Sequence, residues 1–302
     1  MRPSFFSSLR QFFIRSTMPR LHTLRAFVPA RRLALSTGGT ASLALSLFSS
    51  KEEKPKKKPF PNYDLVIKEC DMLYDNYLID NAYNILRKYG SSEYPELLWR
   101  LARVLCEKGK QSKSTTDKQR YFTEALAVVE KAIACEPLEG CFGAHKWMAI
   151  ILDYVGELEG SKSRIAKSYQ VREHLEKALA INNSDATTWH ILGVWHFTFA
   201  DMSYLTRTAA KAIFGTPPTS TYDEALEHFL KAEAIQPGFY STNSFYIGEV
   251  YDRKGNQDKA MEYYRKAFMA PVVTVDDQAI HKKAHDKLKK AKVPDSELVG
   301  SR

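Results

Sequence analysis

Four times along this 302-residue chain, a helix marked by tryptophan or glycine precedes a helix whose last turns carry alanines around a large apolar residue. The last copy is the cleanest, with Ile247, Gly248 and Tyr251, then Ala260, Tyr264 and Ala267, closed by Pro271. The third has Trp189, Leu192 and Gly193, then Ala225, Phe229, Ala232 and Pro237. The second has Trp147, Ile150 and Tyr154, then Val171, Leu175 and Ala178, with Asn182 and Asn183 in the closing turn. The first has Trp99 and Ala102, then Ala125, Val129, Ala132 and Pro137. Small residues let paired helices approach closely, and the aromatics fill the space they leave. Pro237 cannot continue a helix and so ends one. Each hairpin has an apolar face that only its neighbour can bury, so the pattern predicts an all-α stack over residues 62–293.

The spacing resembles the tetratricopeptide repeat, whose period is about 34 residues. That resemblance implies a helical-hairpin solenoid, here with inserted helices and a C-terminal capping helix, which binds rather than catalyses. Residues Tyr63 to Tyr77 and Asn81 to Tyr89 read as an opening hairpin. The period is broken by insertions of 10, 8 and 20 residues in the first three repeats. The stretch Lys110 to Lys118 reads as longer helices or loop without a task. Gly160 to Tyr169 extends a helix backward, and Met202 to Phe214 reads as an added helix. Thr221 and Glu224 have the spacing of a capping box for the helix that follows.

The insertions carry a more specific resemblance. Lys146-Trp147, Asp153-x-Val155-Gly156, Ile165-Ala166-Lys167-x-Tyr169 and Glu173-His174-x-Glu176-Lys177-Ala178 are followed by Asp185-Ala186-Thr187 and Gly193-x-Trp195. Phe199-Ala200-x-Met202 and Thr216-Pro217-Pro218-x-Ser220-Thr221-Tyr222 complete the set. These residues, from about Tyr94 to about Leu288, resemble the regulator of microtubule dynamics family. The resemblance implies a non-enzymatic scaffold whose partner is tubulin or the microtubule; the leader 1–50 would put it at the mitochondrial surface, the alternative being the cytoplasm and spindle microtubules.

Charge divides the chain. Residues 1–60 hold seven Arg and five Lys against two Glu, whereas the remainder has 32 basic and 33 acidic residues. A near-neutral repeat body argues against nucleic acid, whose binders normally show a basic face. Residues 1–50 are rich in Arg and Ser and contain no acid, the composition of a mitochondrial transit peptide. Within them Leu33 to Ser50 is uncharged but weakly apolar, marginal as an anchor when about 20 apolar residues are needed to span a bilayer. Residues 51–61 read as a basic linker and 294–302 as a disordered tail.

No phosphate loop, nucleophile elbow or zincin motif is present, so an enzyme is not expected and no cofactor is implied. Cys70, Cys106, Cys135 and Cys141 have no paired spacing and read as reduced thiols. His281 and His285 share a helical face, but the lysines around them oppose a metal ion. In tetratricopeptide proteins, first-helix residues line the concave groove. Here that set is Met148, Leu152, Val155, His190, Val194 and Phe197. The mostly apolar wall leaves two readings open: the inserted helix 202–214 packs into it, or it holds an amphipathic peptide or a lipid chain. The second would make the chain a membrane-contact or lipid-binding module. The C-terminal segment Asp276 to Lys292 has an apolar stripe of Ile280, Ala284, Leu288 and Ala291. Its other side, with Lys282, Lys283, Lys287, Lys289 and Lys290, could touch acidic tubulin tails.

Overall fold

Helix follows helix along the chain, and every hairpin but the third, whose connection carries an extra helix, is closed by a short turn. The structure is a computed structural model that describes residues 63–272 and 275–294. The leader 1–50, the linker 51–61 and the tail from 295 onward lie outside the described residues. The opening hairpin is α1 (Tyr63–Asp75) and α2 (Ile79–Leu86), with a 3₁₀ turn over Arg87–Tyr89. Then come α3 (Pro95–Gln111) and α4 (Thr115–Ala134), and α5 (Phe142–Glu159) and α6 (Ser161–Ile181). The third pair is α7 (Ala186–Ala200) and α9 (Tyr222–Ile235), with α8 (Tyr204–Ile213) between them in sequence. The last pair is α10 (Ser241–Arg253) and α11 (Gln257–Met269), followed by α12 (Val275–Lys290). Helices pack mainly within these pairs, α3 on α4, α5 on α6, α7 on α9 and α10 on α11, while α12 closes over α11 and α10.

What brings three of the four repeat pairs together is a glycine on the first helix facing an aromatic ring on the second. A Cβ at Gly193 would lie 2.7 Å from the Phe229 ring, one at Gly248 2.8 Å from Tyr264, and one at Gly109 3.0 Å from Phe122. Phe229 and Tyr264 are fully buried, and each such side chain contributes about 1.5–3 kcal/mol through the apolar surface it removes from water. In the second pair Gly156 plays a related part, admitting the backbone of Arg164. Two of the first helices, α5 and α7, are apolar on nearly every side. α5 is buried without a break from Gly143 to Gly156, as a helix without a polar face must be. The core runs through two main clusters, one from α1 to α7 and one from α7 to α12.

The elements match the sequence reading closely. The insertion near Lys110 is absorbed by longer helices, leaving only Ser112–Ser114 between α3 and α4. α6 does begin at Ser161, and the Thr221–Glu224 capping box is formed. α12 buries Ile280, Ala284 and Leu288, but Ala291 falls just beyond the helix and is exposed. Among the described residues no helix is long and apolar enough to cross a membrane.

The glycine contact is directly testable. Gly193→Val drives methyl groups into the buried Phe229 ring, an overpacking that costs about 1–3 kcal/mol. Scanning calorimetry should show Tm several degrees lower. Unchanged melting would mean that the Phe229 ring gives way and that the contact does not set the helix spacing.

Candidate functional site

The six groove residues lie inside the protein. Met148, Leu152 and Val155 belong to the cluster of the first seven helices. Val194 and Phe197 belong to the second cluster. All of them, with His190, are 9% exposed or less. Phe197 meets the rings of Tyr222 and Tyr246, and His190 Nδ1 is 2.9 Å from the Asn243 side-chain oxygen, with Tyr240 and Tyr246 edge-on to its ring. Neither reading of the wall describes what faces α7: side chains of α9 and α10, with Tyr240 before α10, occupy the space in front of it. The inserted helix lies instead by Thr198, Phe199 and Met202.

The inserted helix α8 sits beside α6 and the end of α7. Between the three lies a cavity of about 460 Å³, walled by Ile165, Phe199, Met202, Ala210, Ile213 and Phe214, with Arg164 and several hydroxyls at its margin. Ser203 caps α8, accepting the Thr206 N–H at 3.2 Å. Arg207 donates to the Pro218 carbonyl at 2.6 Å, and the Tyr169 hydroxyl donates to the Thr216 carbonyl at 2.9 Å. The Tyr169 bond ties the strap that carries α8 back to α6, and the Arg207 bond closes the strap on itself. Outward, Tyr204 and Leu205 are about 80% exposed. Arg164 lies 3.8 Å from Asp153, whose carboxyl is pushed well up by burial. The cavity was not visible in the sequence, because the insertion's length gave no position for α8; its alternating small and apolar residues were the only signal.

On α12, Lys282, Lys289 and Lys290 are exposed and Lys283 is half-buried. Lys287 leaves the basic face, because its ammonium is paired with Glu249 and, at 3.1 Å, with Asp252 of α10. His281 is drawn inward to the Phe268 carbonyl at 2.8 Å and stacks on that ring. No group of three or more metal-binding side chains forms among the described residues. The four cysteines are unpaired, and burial raises Cys70 to about 11 and Cys141 to about 12, so both stay protonated at neutral pH.

Sequence reasoning missed the histidine pairs. His145 meets His174, and His196 meets His228, each pair bridging the two helices of a repeat. His174 and His228 both stand four residues before a closing alanine, Ala178 and Ala232, so the repeat register held the signal. Burial holds His174 and His196 down to about 4 and His190 to about 3, and lowers His145 and His228.

The fold is that of a tetratricopeptide-like repeat protein. A tetratricopeptide protein of Thermus thermophilus superposes with a TM-score of 0.51, covering 74% of this chain and 98% of that one at 17% identity. The sequence profile described as regulator of microtubule dynamics protein 1-3 matches residues 66–292, reaching further toward the N-terminus than the motifs quoted above. Regulator of microtubule dynamics protein 1 of Pongo abelii is 39% identical over 72% of this chain and 69% of its own length, and that of Mus musculus is 39% identical over 72% of each. Regulator of microtubule dynamics protein 2 of Mus musculus is 34% identical over 63% of this chain and 46% of its own. The chain belongs to the regulator of microtubule dynamics family.

Two outcomes follow from the buried side chains. Because five imidazoles are lowered from an unfolded value near 6.5, their stabilising effect is complete above pH 6.5 and is lost as pH falls toward 4. Asp153, raised, acts in the opposite sense as one group against five. Thermal melts should show Tm falling from pH 6.5 to 4.5, and a flat profile would contradict the burial of these rings. Phe197→Asp places a carboxylate between Tyr222 and Tyr246, which should cost about 2–5 kcal/mol. Circular dichroism melting checks this; wild-type stability would put Phe197 outside the core.

Proposed function

We propose that the protein is a non-enzymatic scaffold that associates with microtubules, at the mitochondrial surface or the spindle. The observation that carries this reading is membership of a family whose curated relatives are named for microtubule dynamics. The burial of the six groove residues supports a binding role on the outer surface. The exposed Lys282, Lys289 and Lys290, with Lys283 beside them, offer a cationic end for acidic tubulin tails. Contacts of that kind are screened over about 10 Å at 0.1 M salt. Cosedimentation of the purified protein with microtubules, as wild type and as the fourfold Lys282, Lys283, Lys289 and Lys290→Glu variant, tests it. Pelleting should be lost in the variant and weaken with salt. Equal pelleting of both would remove α12 from the interface, and no pelleting of the wild type would remove direct tubulin binding.

The acid-free leader supports mitochondrial targeting, with arginines following an inside-negative potential. Replacing Arg10, Arg15, Arg20 and Arg25 with Glu should displace the tagged protein from mitochondria; unchanged imaging would contradict this.

A second reading rests on the cavity beneath α8. Its volume falls within the ~300–1,000 Å³ usual for small-molecule sites, and its walls are mostly apolar. It suits one apolar chain, so the lipid-binding alternative moves from the groove to the strap. Native mass spectrometry of the purified protein should show a bound apolar molecule that Ala210→Phe displaces. Wild type free of any such adduct would end this reading.

A further inference from the structure

The geometry points to a divalent metal site formed by His145 of α5 and His174 of α6, taking zinc or copper(II) through the Nδ1 atoms of both rings. The two Nδ1 atoms face each other at 2.8 Å, with ring centroids 5.1 Å apart. On the far side of His145, Nε2 lies 3.2 Å from the Glu136 carboxylate. Glu136 is itself held in place, accepting the Cys141 N–H at 2.9 Å. An ionised carboxylate only accepts, so the Nε2 of His145 carries the proton and its Nδ1 presents a lone pair. That is the arrangement of a metal-bound histidine, whose second nitrogen donates to a carboxylate that fixes the tautomer and aims the ring.

Without metal, the His174 Nδ1–H donates to that lone pair. With metal, His174 changes tautomer, its proton leaving Nδ1 for solvent while Nε2 takes one up, so that the ring stays neutral and both Nδ1 lone pairs bind the cation. Zinc–nitrogen bonds of about 2.0–2.1 Å in a tetrahedral shell separate two nitrogens by about 3.3 Å. The pair must therefore open by about half an ångström. His145 is fixed, but His174 is half-buried and at the surface, so it can turn and water can fill the remaining positions. Both rings are neutral at pH 7, because burial lowers each. The nearby charges are Glu136, and Glu173 paired with Lys177 at 2.7 Å, which leaves a net negative surrounding for a dication. Imidazole suits zinc and copper, and affinity rises toward copper(II) along the first-row series. A bound ion would clip α5 to α6 within the second repeat.

The test uses the full chain, freed of metal by chelator and titrated with zinc chloride or copper sulfate against a competing dye. Wild type should bind one equivalent and melt higher with metal, since a ligand of the native state stabilises it. His174→Gln, at the half-buried partner, should keep its fold by circular dichroism and lose both effects. Glu136→Gln should weaken binding by about 10–100-fold, the usual loss when the carboxylate behind a metal-bound histidine is removed. A His281→Gln, His285→Gln double variant should bind like wild type. No stoichiometric binding to wild type, or equal binding by His174→Gln, would overturn the proposal. Loss of binding in the α12 double variant alone would assign the metal to α12 instead.

Discussion

The close approach of a glycine to an aromatic ring inside a hairpin sets the spacing on which the rest of the structure depends. Gly109 against Phe122, Gly193 against Phe229 and Gly248 against Tyr264 are the same contact in three repeats. Because the ring occupies the place of a missing side chain, the two backbones come near enough to exclude water between them. The alanines do the same on the outer face of the second helix. With that spacing fixed, first helices such as α5 and α7 are enclosed almost completely, and their sequences are correspondingly apolar. Glycine lowers intrinsic helix stability by about 0.5–1 kcal/mol relative to alanine, a cost that the buried ring offsets.

Enclosure of the first helices has consequences for the polar groups they carry. His190 is satisfied by Asn243, whose amide in turn donates to the Phe229 carbonyl at 3.1 Å. Lys146 reaches Asp185 at 2.9 Å, where Asp185 also caps α7, and the pairing keeps that carboxyl below its usual range despite burial. Arg100 and Arg103 share Asp71, and the Arg103 guanidinium lies over the Tyr74 ring, locking α1 onto α3. Each of these ties one repeat to the next through a group that would be costly to leave unpaired in the interior.

The repeats were legible in the sequence because their period and their small residues are local signals. The α6 extension, the added helix and the Thr221–Glu224 cap could be read for the same reason. The groove could not. Residues such as Phe197 and Val194 read as a groove wall covered either by the inserted helix or by a ligand, but Phe197 meets Tyr222 within its own hairpin, and Tyr246 reaches it across the repeat boundary. Such contacts depend on how far α10 rotates against α7, which spacing along one helix does not encode. Lys287 shows the same limit: on α12 alone it belongs to the lysine face, and only the position of Glu249 and Asp252 on α10 takes it out. The histidine pairs bridge helices about thirty residues apart, so they too emerge only when the hairpins close.

On the function we propose, recognition falls on the outside of the repeats, at the lysine end of α12, and away from the buried first helices α5 and α7. Hydrogen–deuterium exchange of the full chain with and without microtubules tests this most directly. Added protection should appear in peptides covering α12, with α5 and α7 already protected in the free protein and unchanged on binding. If the free protein exchanges rapidly in α5 and α7 and microtubules protect those helices instead, the groove is open and the account is wrong.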